Sequence, residues 1–166
     1  MLKLPRLLES DPTISEKWGS FFQTQPMIRL WAGGTLKLPS LAFSSELRQA
    51  LGFARRCGSL KGGLELIAQL LQNEAKGLSR VAEEGAQSAR RISRLLLVSQ
   101  DGSERFYRQC EGILTKHQDR IWGAQLQVDA QELGRTFFGG QRGVRAVLVL
   151  HKEAVGRVLK SLLEPV

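Results

Sequence analysis

Only two cysteines, Cys57 and Cys110, occur in 166 residues, and no C-x-x-C spacing links them. That scarcity leaves no disulfide framework and no thiolate metal cluster, and both are expected to be reduced, buried thiols. Histidine is equally scarce. His117 and His151 are the only two, and neither has a cysteine or carboxylate at metal-ligand spacing. His151, at the end of a strand pattern, reads as a helix-start residue. The chain also has no G-x-G-x-x-G after a strand, no P-loop and no G-x-S-x-G elbow. No catalytic residue and no cofactor is expected, and the chain reads as a non-enzyme. Apolar runs reach only a handful of residues, whereas a membrane span needs about 20. The opening stretch MLKLPRLLESDP has no apolar signal core. A cytoplasmic monomer with no membrane partner is the expectation.

Acidic residues are also few: 16 Asp and Glu stand against 24 Lys and Arg, giving a formal charge of +8 and a pI near 10.1. An excess of that size points to an anionic partner, nucleic acid before any other.

The richest pattern runs from 92 to 163. Leu95 to Val98 form a short apolar run of the kind that makes a strand buried on both faces. Ile121, Gly123, Gln125 and Gln127 then alternate with Trp122, Ala124, Leu126 and Val128, and the run VRAVLVL supplies a third strand. Asp101 before Glu104, and Asp129 before Glu132, have capping-box spacing and predict the starts of two helices. Those helices carry Phe106, Tyr107, Cys110, Ile113 and Leu114 in one stripe, and Leu133, Phe137 and Phe138 in another that Gly139 and Gly140 end. Val155, Val158, Leu159, Leu162 and Leu163 mark a final helix. Strand, cap and helix in repetition is the pattern of an α/β layer fold.

Upstream, Ser44 or Ser45 can cap a helix whose inner face is Leu47, Leu51 and Ala54, closed by Arg55, Arg56 and Gly58. Gly62 and Gly63 then open a second helix through Leu64, Ile67, Leu70 and Leu71. A glycine-opened helix exposes its first amides to a phosphate or an approaching RNA backbone, although a tight loop needs the same residues. From Gln72 to Arg94 the composition predicts a helix broken at Gly77, with a basic set at Arg80, Arg90, Arg91 and Arg94. Four of the five prolines lie in the first 39 residues and argue against a long helix there. Met27 to Trp31 and Thr35 to Leu38 read as a hairpin through Gly33 and Gly34, which must dock on something to be stable.

Three blocks, LRQALGFARRCGSLKGGLELIAQLL, RLLLVSQDGSE and DAQELGRTFFGGQRGVRAVLVLHKEAVGRVL, together resemble the kink-turn-binding ribosomal protein superfamily, the seven-Ae family. The likeness covers residues 44–163 and is greatest to small bacterial YlxQ-type RNA-binding proteins. It implies a three-layer α-β-α sandwich with a central mixed four-stranded sheet over 44–166; the helical insertion near 76–91 departs from the family, whose connection there is much shorter, and residues 1–43 read as an extension or small hairpin. It implies non-catalytic binding of structured RNA, ribosomal or another non-coding RNA, with ribosomal or transcription proteins as further partners. Carried over residue by residue, the RNA-binding set is Arg56, Lys61, Gly62, Gly63 and Glu65 at the first helix start. Leu133, Gly134, Arg135, Arg142, Gly143, Val144 and Arg145 complete it at the second. Leu64 stands where the family places an Asn that reads kinked base pairs, and Ala68 where a Lys often follows. Those two departures also allow a different reading, a protein-interaction module on the ribosome or transcription machinery that has lost kink-turn recognition.

Overall fold

A computed structural model describes residues 2–83 and 90–163. In chain order the elements are α1 (Arg6–Glu9), α2 (Pro12–Thr24), β1 (Met27–Arg29), β2 (Lys37–Leu41), α3 (Ser45–Arg56), β3 (Leu60–Gly62) and α4 (Leu64–Glu83). They continue with β4 (Arg94–Val98), α5 (Glu104–Lys116), β5 (Ile121–Leu126), α6 (Ala130–Phe138), β6 (Ala146–Val149) and α7 (Lys152–Leu163). Strands β4, β5 and β6 fall where the apolar runs place them.

One sheet joins all six strands in the order β1-β2-β5-β4-β6-β3. Strands β2, β5 and β4 are mutually parallel, whereas β1, β6 and β3 run antiparallel to their neighbours. Successive side chains of a strand point to opposite faces, and the core divides accordingly. Leu95, Leu97, Ala124, Leu126, Val147 and Val149 face one way, toward apolar residues of α1, α2, α3, α6 and α7. Leu96, Val98, Ile121, Ala146 and Leu148 face the other, toward Ile67 and Leu71 of α4 and Tyr107, Cys110 and Leu114 of α5. This is an α/β fold with α-β-α layering. Burying a side chain such as Leu71 or Leu96 contributes about 1.5–3 kcal/mol, so the two faces supply most of the driving force.

The sheet has six strands, where four were expected. Strands β3 to β6 are those of the 44–166 segment, and β1 and β2 are added from the amino-terminal segment. A hairpin alone is marginal because only one face finds cover. Here β2 gains a parallel partner through the pairs Ser40↔Gln125 and Leu41↔Leu126, and the Gln127 amide donates to the Leu41 carbonyl at 2.8 Å. The Glu111 carboxylate on α5 secures the hairpin turn, accepting from Trp31 Nε1 at 2.6 Å, the Leu36 amide at 2.7 Å and the Thr35 amide at 3.0 Å.

Ahead of the hairpin lies α2, which the sequence reading did not anticipate. Its Asp11 cap accepts from the Thr13 amide at 3.0 Å, and Pro12 sits in the first turn, where its missing N–H costs nothing. The buried residues Ile14, Trp18 and Phe21 recur at helical spacing. Trp18 packs against Trp122 of β5 with ring centroids 5.5 Å apart and against Phe22 at 5.0 Å.

Four further expectations need correction. Ser103, not Asp101, caps α5 by accepting from the Phe106 amide at 3.1 Å. Cys57 is exposed as the cap residue after α3, whereas Cys110 is buried as expected. Helix α4 continues through Gly77 without a break: its apolar face is anchored by Ile67 and Leu71, and one interior glycine costs only about 1 kcal/mol. Two members of the basic set are engaged rather than free, Arg91 with Glu9 and Arg94 with Glu74; Arg90 is exposed, and the Arg80 side chain and 84–89 of the insertion lie outside the described residues.

Candidate nucleic-acid interface

Strand β3 is an edge strand, antiparallel to β6 through Lys61↔Leu148 and Gly62↔Val147. Gly63 then turns the chain into α4 at φ +99°, a conformation that L side chains rarely adopt. Its amide donates to the Ala146 carbonyl at 3.0 Å, and its own carbonyl accepts from the Ile67 amide at 3.0 Å, so this glycine links the sheet to the first helical turn.

Gly62 is required for a different reason. A Cβ there would lie 2.8 Å from the Phe138 ring and 3.1 Å from a Val144 methyl carbon. The loop after α6 therefore presses onto the bare backbone of the β3–α4 junction. The same loop lies back across its own helix. A Cβ on Gly134 would meet the Arg142 carbonyl oxygen at 2.3 Å, and the Val144 amide donates to the Ala130 carbonyl at 2.9 Å. Gly143 packs on Ala130, with 3.0 Å from a built Cβ to its methyl.

These contacts join Gly62, Gly134, Gly143, Val144 and the backbone of Arg142 in one junction. Arg135, Arg142 and Arg145 are exposed on α6 and the loop after it, whereas Lys61 is half-buried and, paired with Leu148, lies on the α4–α5 face of the sheet, opposite Gly62. Among the described residues these four cations make no ion pair. Leu133 is different: at 0% exposed it belongs to the core, and its contribution is to fix α6. Glu65 is exposed in the first turn of α4. Arg56 lies elsewhere, in a groove between α3 and α7 beside Arg157 and Lys160.

Arg55 is the residue that sequence reasoning missed. Its Nε donates to the Phe137 carbonyl at 3.0 Å at the carboxyl end of α6, and its guanidinium lies 5.1 Å from the centre of the Phe138 ring. It ties α3 to the ring that covers Gly62. The signal was present in the last turn of α3, where either arginine satisfies the same helix-end preference.

Parallel strands β4 and β5 are adjacent, yet α5 follows β4 to one face and α6 follows β5 to the other. Such a divergence opens a crevice at the carboxyl ends of strands. Here it is filled from within: the Asp101 carboxylate accepts from the Ala130 amide at 3.1 and 3.2 Å, and Asp129 accepts from the Glu132 amide at 2.8 Å. Both carboxylates serve the start of α6. Partial burial raises the Asp101 pKa, but the neighbouring Ser99 hydroxyl, then the Ala130 amide and its own amide, and last the charge of Arg145 more than offset it and hold the carboxyl below its ordinary range. Glu132 does not complete a reciprocal capping box; it pairs with Arg48 at 2.7 Å. His151 starts α7, its carbonyl accepting from the Val155 amide at 3.0 Å.

The two departures from the family pattern also have a place. Leu64 and Ala68 line a groove of about 350 Å³ between α4 and α5, opposite Gly112 and Ile113.

No protein-family model matches the chain, and no curated protein matches it. Among solved structures it is similar to a protein of unknown function from Bacillus halodurans, at 18% identity and a TM-score of 0.48, over 72% of this chain and 98% of the other. No helix among the described residues is long and apolar enough to cross a membrane.

Proposed function

We propose that this protein binds structured RNA without catalysing a reaction, through the edge formed by the β3–α4 junction, the start of α6 and the loop before β6. The observation that supports the reading is the packing of Phe138 and Val144 onto Gly62, which sets the loop bearing Arg142 and Arg145 against the β3–α4 junction that Lys61 precedes. Cations in such a group displace counterions from phosphates, and affinity then falls steeply with salt. Unpaired bases pack on apolar and aromatic surface, which Phe138 and Val144 offer beside the arginines. The overall charge of +8 and the resemblance of residues 44–163 to kink-turn-binding proteins support the same reading. Leu64 and Ala68 lack the polar groups that would read a kinked pair, so recognition through backbone and shape is the form proposed.

Purified protein incubated with total cellular RNA across a salt series provides the test. Retention of discrete structured RNAs that weakens with salt is expected. Absence of retention at low salt overturns the proposal.

A second reading, a protein-interaction module, draws on the apolar groove at Leu64, Ala68 and Ile113, which suits a side chain better than a phosphate. A partner that stays bound at high salt and is released by Ala68→Glu would favour it.

A further inference from the structure

Away from the proposed RNA edge, α1 and α7 flank a groove of about 700 Å³. Its apolar residues include Leu7, Leu8 and Ile92, with Gly156 opening the α7 side. Leu8 turns into the core, but Leu7 is 82% exposed, the most exposed of the large apolar residues described. An isolated exposed leucine needs no explanation. This one borders a groove that also holds Arg6, Lys152 and Lys160, none of which has an ion-pair partner among the described residues. The other charges there are already engaged. Arg91 pairs with Glu9 and donates to the Leu4 carbonyl at 3.0 Å, and Arg157 pairs with Glu153 at 3.5 Å while lying 3.8 Å from the Phe53 ring centre.

The groove is also preformed. A four-residue helix has little stability of its own, yet α1 is held by backbone on its entry side: Lys3 bridges to Arg91, its amide donates to the Arg90 carbonyl at 3.1 Å, and its carbonyl accepts from the Ile92 amide at 2.9 Å. A wall fixed before binding spares the ordering cost that a mobile segment would add.

We infer that this groove docks an acidic peptide segment of a partner protein, whose apolar side chain packs against the exposed Leu7 while its carboxylates meet Arg6, Lys152 and Lys160. The combination selects the occupant. A nucleic-acid duplex, its bases stacked inward, would satisfy the cations but leave the leucine wet, whereas a neutral apolar segment would leave the cations unused. An acidic peptide with leucine or phenylalanine between its carboxylates satisfies both. This surface is independent of the proposed RNA edge, so either can fail alone.

The experiment is fluorescence anisotropy on the full chain with three labelled probes: a peptide alternating glutamate and leucine, a peptide of equal charge with serine for leucine, and a single-stranded RNA. Saturable binding of the first peptide is expected, weakened about tenfold or more by Lys152→Glu with Lys160→Glu, and also by Leu7→Ser, but unchanged by Arg142→Glu. All four positions are exposed, and unchanged melting curves for the variants establish that the fold is kept. Equal affinity for the serine peptide overturns the inference, as does the absence of saturable binding. Loss of RNA binding in the lysine variants with peptide binding intact assigns the groove to nucleic acid. Binding to phosphatidylglycerol vesicles in place of the peptide assigns it to a lipid surface.

Discussion

The arginines around Glu74 and those around Gly134 belong to the same basic sequence but have opposite fates. Arg120, 7% exposed, donates to Glu74 at 3.2 Å and to the Leu71 carbonyl at 3.0 Å, while Nε of Arg94 donates to both oxygens of the same carboxylate at 3.1 and 3.2 Å. One acid thus satisfies two guanidinium groups and ties α4 to the start of β4 and the turn before β5. Although burial raises its pKa, the bonds and charges of Arg94 and Arg120 outweigh that and hold Glu74 below the ordinary carboxylate range. At Gly134 the guanidinium groups of Arg135, Arg142 and Arg145 face solvent, and backbone contacts position the loop instead. Charge count alone conceals the difference: the first group is structural and the second is available to a ligand.

Breaking the comparison at its structural side should give the largest effect. Glu74→Ala leaves Arg120 buried without its countercharge, and a loss of about 3–5 kcal/mol in stability is expected from urea unfolding. If the cost is under about 1 kcal/mol, the two groups do not differ as described.

Gly134→Ala acts next. The new methyl cannot share space with the Arg142 carbonyl, so the loop must lift from α6, at about 1–3 kcal/mol. Thermal unfolding measures that cost, and RNA retention should fall with it even though no charge has changed.

Charge reversal sharpens the contrast. Lys61→Glu, Arg142→Glu and Arg145→Glu combined should lower the melting temperature only slightly, through the charge lost beside Asp101, yet abolish RNA retention at low salt. Unchanged retention would sink the assignment of this edge. Arg142→Ala alone should reduce the slope of log affinity against log salt by about one, as expected for one lost phosphate contact.

The smallest effect concerns Glu111. Chiefly the Leu36 amide, with Trp31 and Thr35 adding to it and burial opposing, lowers its pKa. A depressed carboxylate stabilises the fold above its unfolded-state pKa and loses that contribution as pH falls through its folded value. The melting temperature should therefore drop on acidification below the ordinary carboxylate range, and Glu111→Gln should flatten that part of the profile. Identical profiles for both proteins would remove Glu111 as the clamp of the hairpin turn.

Much of the layered core was legible because apolar runs, alternation and helical stripes report directly on burial: Leu95 to Val98 is buried on both faces as read, and the alternation read from Ile121 to Val128 marks a strand that ends at Leu126. The missed features share a cause. Pro12 breaks a helix when interior and starts one when preceded by a cap, and only the burial of Ile14, Trp18 and Phe21 decides between them. Asp101 and Ser103 are both competent caps, and the turn that Tyr107 fixes, accepting from the Gly102 amide and donating to the Ser99 carbonyl, leaves Ser103 at the helix start. At the candidate site, Gly62 and Gly134 were visible as glycines, but their shared purpose, making room for the 139–145 loop, is a tertiary fact. The pairing of Arg91 and Arg94 was illegible for the same reason, since Glu9 and Glu74 are distant in sequence.

The parallel pairing of β2 with β5 bears on the order in which the chain can be assembled. On the ribosome, Ser40 and Leu41 emerge long before Gln125 and Leu126, and the hairpin meanwhile presents the edge that β5 will later cover. Local helices can form at once, but this sheet cannot grow from its amino-terminal edge inward. Distant pairings of this kind slow folding and lengthen the exposure of unpaired strands. Synthesis of the second half thus completes the first, and a nascent chain halted before β5 would carry an open strand edge.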